Sequence, residues 1–244
     1  MSGNVPGLPI LTYHRIGLPP PQSTCRGLFT SQHSLESHLR LLHRLGYGFV
    51  TFDDLASWLD IGVPLPKKPV LLSFDDGHRD NVDAQPLLRR YGAMATVFVL
   101  AGEMGSRGVT WAEASERAPT DLITWDQARE LHRGGWRIES HGLTHRHLDR
   151  LDPQEMMAEV RDSRERIAVE VGRAPLALAY PYGAATAAVR DGARRAGYRF
   201  ACTTEPGVND LAALDPWALR RIAVKGYRRI HLVRFAIAAL RGFA

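Results

Sequence analysis

The feature that limits this chain most is a repeated alternation of short apolar runs, each of strand length, with longer segments of helical periodicity. PILTYH gives way to SLESHLRLLHRLGY, GFVTF to DLASWLD, and VLLSF to VDAQPLLRRYG, which ends on a glycine stop. ATVFVLA is followed by TWDQARELHRGG, with a threonine cap and a Gly-Gly exit. WRIESH precedes DPQEMMAEVRDSRERIAVEVG, the longest helix, with Asp152 as cap and Pro153 at its first position. LALAY, AATAAVRDGARRAG and RFACT complete the series. Such βα order implies parallel strands covered by helices, in a barrel or a doubly wound sheet. No Pro/Gly/Ser-rich linker divides it, so residues 1–244 read as one domain.

In either architecture ligands gather at the carboxyl ends of the strands. The polar residues at those ends are His14, the pair Asp75 and Asp76, His141 and Tyr182. No GxGxxG or GxxxxGK[ST] follows a strand, which argues against dinucleotide and P-loop chemistry. The net charge of +5 admits an anionic partner, but the basic residues are scattered and no nucleic-acid motif accompanies them, so no nucleic acid is expected. No run approaches the roughly 18 apolar residues of a transmembrane helix. MSGNVPGLPI lacks a positive region followed by an apolar core, which makes a cytoplasmic location the expectation. Cys25 and Cys202 are too few for a disulfide framework and lack CxxC spacing.

Two stretches carry chemistry. KKPVLLSFDDGHRD runs from a buried strand into Asp75 and Asp76, whose side chains point to opposite faces if the strand continues. ESHGLTHRHL places His141 and His145 four apart, a spacing that suits two imidazoles on one metal. Together they supply two neutral nitrogens and a carboxylate for a divalent cation, with a second carboxylate to spare. One Asp can be a ligand while the other acts as base towards a bound water, whose pKa a metal such as zinc lowers to about 7. Zn²⁺ suits two His and one Asp best, and Co²⁺, Ni²⁺ or Mn²⁺ fit the same donors. His78 and Asp80 read as the solvated start of the next helix, His147 as a surface or outer residue, and Trp125 and Tyr180 as core packing.

At these residues the chain resembles the polysaccharide deacetylases, the NodB-homology domain of carbohydrate esterase family 4. SFDDG is similar to the family's TFDDG motif and SHGLTHRHL to its H-[ST]-x-x-H-x-x-L region, and the likeness runs from LTYHRI through AYPYG to LRRIAV. The resemblance implies an α/β fold, a distorted (β/α)7 barrel. It makes Asp76, His141 and His145 the metal ligands and Asp75 the catalytic base. It also assigns oxyanion stabilisation to the metal and the Tyr182 backbone amide. The implied reaction is hydrolytic removal of N-acetyl, or less often O-acetyl, groups from a glycan.

The sequence departs from the family in two places. Where R-x-P-[YW] is usual it has Ala179-Tyr180-Pro181-Tyr182-Gly183, so the arginine that orients the base in the family is missing, and Arg220 or Arg221 of the last strand are the candidates to replace its charge. The L-x-H motif that supplies the acid is not clean, which leaves His14 and His231 as candidates. Residues 227–244 are basic and amphipathic, either a last helix packed on the barrel or a peripheral contact with an anionic bilayer, which would suit a lipid-linked glycan. The expected partner is an N-acetylated oligo- or polysaccharide. The alternatives are hydrolysis of a non-sugar amide with the same groups, or carbohydrate binding without efficient catalysis.

Overall fold

The computed structural model describes residues 7–21, 23–108 and 120–226, with 228, 231, 235, 236, 238, 239 and 242 beyond them. In chain order they form β1 (Gly7–Tyr13), β2 (Arg15–Ile16), β3 (Phe29–Thr30), α1 (Gln32–Arg44), β4 (Gly48–Val50), α2 (Phe52–Ile61), β5 (Pro69–Phe74), α3 (Gln85–Arg90), β6 (Thr96–Val99), α4 (Trp125–Arg133), β7 (Arg137–Ser140), α5 (Pro153–Val171), β8 (Ala177–Ala179), α6 (Ala187–Arg195), β9 (Phe200–Cys202), β10 (Val208–Asp210) and β11 (Ile222–Ala223). Two helices start at the caps their sequence shows, α4 after Thr124 and α5 after Asp152, whereas α2 takes Phe52 from the expected strand GFVTF. Thr124 and Gln127 form a capping box for α4, and Asp152 caps α5 by accepting from the backbone of Gln154 and Glu155.

Strands β1, β5, β6, β7, β8 and β9 pair in that order, all parallel. The ring is closed by residues 219–223, because Leu219 bridges Cys202 of β9 while Ile222 pairs with Leu11 of β1. This closing segment is the seventh member of a distorted (β/α)7 barrel. On the same edge of β5, β4 covers its start and β6 its end, and β10 adds an antiparallel edge at the foot of β1.

Strand alternation sorts the core into layers. On β5, Val70, Leu72 and Phe74 point outward to pack under α1, α3 and α4, whereas Leu71 joins Ile10, Phe98, Phe200 and Leu219 inside the barrel. Phe52 and Leu55 of α2 pack into that inner cluster. Around them Asp53 bonds both Arg137 and Arg173, and Arg173 reaches the buried Glu139. A second outer layer, with Leu178, Tyr180 and Ala201, packs under α5 and α6. Tyr180 is fully buried, its hydroxyl donating to the Trp217 carbonyl, so it is a core residue as its sequence context suggests.

Most of 227–244 lies outside the described residues, and with it most of the amphipathic face proposed for a bilayer. Of its described residues, Phe235 and Ala239 are buried. Phe235 stacks on His38 of α1 at 3.8 Å, and the Ala239 carbonyl accepts from the Tyr47 hydroxyl at 3.1 Å. Among the described residues no helix is long and apolar enough to cross a membrane.

His38 gives the fold a measurable acid sensitivity. Its ring sits at 1% exposure in the outer core, with Nδ1 3.3 Å from the Tyr13 hydroxyl, and burial pushes its pKa down to about 3. In the unfolded chain an imidazole titrates near 6.5. The folded value is the lower one, so the contribution is complete above about pH 6.5 and is lost as pH falls towards 3, at up to about 1.4 kcal/mol per pH unit. Urea midpoints measured between pH 4 and 7 should therefore fall more steeply for the native chain than for His38→Leu. Parallel curves for the two proteins would show that His38 is not buried and neutral.

Candidate active site

The even-numbered outward residues of β5 end at Phe74, and the odd-numbered inward ones, Leu71 and Ser73, are continued by Asp75 just past the strand. Ser73 meets Thr12 of β1 inside the barrel at 3.2 Å, and Asp75 N donates to the Tyr13 carbonyl, so the sheet fixes Asp75 at the carboxyl end of the barrel. It is 3% exposed. Its partner is Arg221 on the closing segment, whose Nη1 donates to Asp75 Oδ1 at 2.7 Å while Nε donates to the Thr203 carbonyl. Burial is the largest influence on Asp75 and pushes its pKa up. The Arg221 charge, helped by His141 and His14, overrides it and holds the carboxyl below the usual range. Of the two candidate arginines it is Arg221 that pairs with Asp75, and strand parity explains why it rather than Arg220 faces inward with Leu219.

Asp76 leaves the strand alternation because the chain turns: its φ is +70°, followed by Gly77 at +69°, two left-handed residues in a row. A glycine takes the second at no steric cost. The turn carries Asp76 Oδ1 to 3.3 Å from His141 Nε2 and 3.5 Å from His145 Nε2. One ligand atom from each of these three residues lies within 4.8 Å of the others. Each imidazole is oriented through its far nitrogen, His141 Nδ1 to the Ala179 carbonyl at 2.7 Å and His145 Nδ1 to the Tyr182 hydroxyl at 3.1 Å. Burial raises the Asp76 pKa, but hydrogen bonds from His141 and His78 and the His145 charge prevail and leave it well below the carboxylate range. Burial takes His145 down to about 4, so its ring is neutral at pH 7 with a lone pair to offer.

Residues 62–201 match the family model described as polysaccharide deacetylase. The chain is 31% identical over 220 residues to YxkH of Bacillus subtilis (strain 168), which carries a polysaccharide deacetylase name, covering 89% of this chain and 71% of that one. The chain belongs to the polysaccharide deacetylase family. Poly-beta-1,6-N-acetyl-D-glucosamine N-deacetylase of Staphylococcus aureus is 23% identical over 163 residues, which span 63% of this deacetylase and only about half, 53%, of that relative. Among solved structures, the Streptococcus pyogenes deacetylase PplD in complex with acetate superposes with a TM-score of 0.80 at 25% identity, over 94% of this chain and 98% of that one. IcaB from Ammonifex degensii shares the fold at a TM-score of 0.77, over 96% and 97% of the two chains at 24% identity.

The other expected site residues of this deacetylase fall as follows. His14 follows β1, close enough to feel the charges of Asp76, Asp75 and Arg221, and burial lowers its pKa. Its carbonyl accepts from Asn81 Nδ2 at 2.6 Å, and Asp80 accepts from Ile16 N and Arg15 Nε. Asp80 therefore pins the exit of β1 and is not a solvated helix start. Tyr182, 39% exposed and left-handed at φ +59°, stacks its ring on His147 at 3.8 Å while its hydroxyl holds His145. His147 thus supports the cluster from outside. His231 lines a separate cavity of about 310 Å³ with Ile222, Val224 and Phe235.

Two residues do more than their sequence context suggests. Glu159 of α5, 5% exposed, accepts from the backbone of Leu143 and Thr144 and from the Thr144 hydroxyl, fixing the loop that spaces His141 from His145. An acid on the inner face of the long helix was the only available signal. The second is His78, at 1% exposure the opposite of a solvated residue. Asp76, His145 and Tyr182 are the only non-glycine residues with positive φ among those described, and all three meet at this cluster.

Proposed function

We propose that the chain removes N-acetyl groups from a glycan with the help of a divalent cation held by Asp76, His141 and His145. The observation that carries this reading is the pairing of that donor triangle with Asp75, an ionised neighbour held out of the triangle by Arg221. The donors fit a cation: one carboxylate oxygen and two Nε2 atoms converge, and both Nδ1 atoms are engaged elsewhere. Zn²⁺ suits two nitrogens and one oxygen, and Co²⁺, Ni²⁺ or Mn²⁺ would occupy the same donors. When bound, the ion supplies Lewis acidity at the acyl oxygen and makes water more acidic.

The protein's own groups do the rest. Asp75 takes the proton from the attacking water, and its bond to Arg221 fixes which lone pair faces that water. The Tyr182 backbone N–H donates to the oxyanion of the tetrahedral species. The departing amine needs a proton, and His14 is the group we assign to deliver it. Because burial favours the neutral form of His14, the proton it delivers is the one the attacking water gave to Asp75, handed on before the amine departs. The N-acetylglucosamine polymer named for the staphylococcal relative is the substrate class to test first.

Acetate release from N-acetylated glucosamine oligomers should vanish on dialysis against a strong chelator and return with Zn²⁺ or Co²⁺. Release that persists in chelator would remove the cation from the proposal. A chain that binds the oligomers and the ion yet frees no acetate is a binding protein. Hydrolysis of simple amides in preference to the oligomers would favour a non-sugar substrate.

A further inference from the structure

The Asp76 oxygen that faces away from the two ligand imidazoles is also engaged. His78 Nε2 lies 3.1 Å from Asp76 Oδ2, and His78 Nδ1 lies 3.0 Å from the Thr120 hydroxyl. A carboxylate oxygen accepts and an imidazole N–H donates, so the contact is a bond from His78 Nε2 to Asp76 Oδ2. The ring has little freedom to do anything else. It is 1% exposed, and its backbone pairs with 121–123: Ile123 N donates to the Gly77 carbonyl, Arg79 N donates to the Asp121 carbonyl, and His78 bridges Leu122. Residues 120–123 thus lie across the DDG turn and cover it.

We infer that His78 is a positioning residue that reserves Asp76 Oδ2 and so makes Asp76 a one-oxygen ligand through Oδ1. The inference rests on the metal reading above and concerns how strongly this chain holds the ion. A carboxylate free to rotate loses the direction of its lone pairs, whereas one tied at Oδ2 keeps Oδ1 aimed at the focus of His141 and His145. Partners of this kind, one bond removed from a metal, are worth about 10–100-fold in metal affinity. His78 does not itself join the donor triangle, whose close-set ligand atoms come from Asp76, His141 and His145.

The test is competition for Zn²⁺ and Co²⁺ against a chelator of known affinity, on the full chain. The native protein should bind one ion and His141→Ala none at comparable concentration; a native chain that binds no ion defeats the metal reading itself. Given native binding, His78→Met, which keeps bulk but has no donor, should bind one ion about 10–100-fold more weakly. His78→Gln, whose amide restores a donor near Nε2, should recover most of the loss. Native-like affinity in His78→Met, or equal loss in both variants, overturns the role of His78. A readout that needs no variant guards against misfolding: nitrogen-resolved NMR of the native chain should show the His78 proton on Nε2, with that nitrogen unshifted when the ion binds. A proton on Nδ1 alone, or a shift of Nε2 into the metal-bound range, overturns it equally.

Discussion

Arg221→Met is expected to cost about 3–5 kcal/mol of folding stability, the penalty for leaving one member of a buried ion pair without the other. Both side chains are 4% exposed, so solvent offers Asp75 no substitute partner. The alternative open to Asp75 is to take up a proton, since burial already pushes its pKa up and only the nearby positive charges oppose it. The first response destabilises the fold and the second removes the ionised base. The variant should therefore lose both stability in urea and acetate release, with its activity partly regained at higher pH. Arg221→Lys should rescue poorly, because one ammonium cannot reproduce two donors held apart by a planar fork, one to Asp75 and one to the Thr203 carbonyl. Pairing Arg221→Met with Asp75→Asn should be less destabilising than Arg221→Met alone. A loss below about 1 kcal/mol for the single variant would mean the pair is not buried in solution.

Asp75→Asn and Asp76→Asn should give opposite phenotypes although the residues are neighbours. Asp75→Asn is expected to lower kcat by about 10²–10⁴, the usual worth of a positioned general base, while leaving one ion bound per chain. Asp76→Asn should instead lose the ion, because it weakens the one oxygen donor of the triangle. Kinetics and metal content on the two proteins settle the assignment. Loss of the ion in Asp75→Asn, or a fall in kcat of less than tenfold, would place the base elsewhere.

The barrel was readable because most of its strands are apolar runs bounded by caps and glycine stops, as at VLLSF and TVFV. These signals are local. The two-residue strands β2, β3 and β11 carry no such pattern, and only their neighbours make them strands. The cluster of Asp76, His141 and His145 was readable from two motifs for the same reason. Arg221 reaches Asp75 across 146 positions, and nothing near Asp75 names it; only inward parity with Leu219 separates it from Arg220. His78 was misread because loop residues 120–123, distant in sequence, cover it. A polar residue just after a strand looks solvated until its lid is known.

The three left-handed side chains have a practical bearing on protein engineering. An L-residue in that basin costs about 1–2 kcal/mol, less for an aspartate, and glycine or asparagine costs little there. Directed evolution for heat resistance, run without an assay for turnover, has an easy route at 145 and 182: relax the backbone and discard the imidazole or phenol. Such a campaign would return sturdier proteins stripped of side chains from the donor cluster. Libraries built on this barrel should leave 76, 145 and 182 untouched and seek their gains on the outer helices.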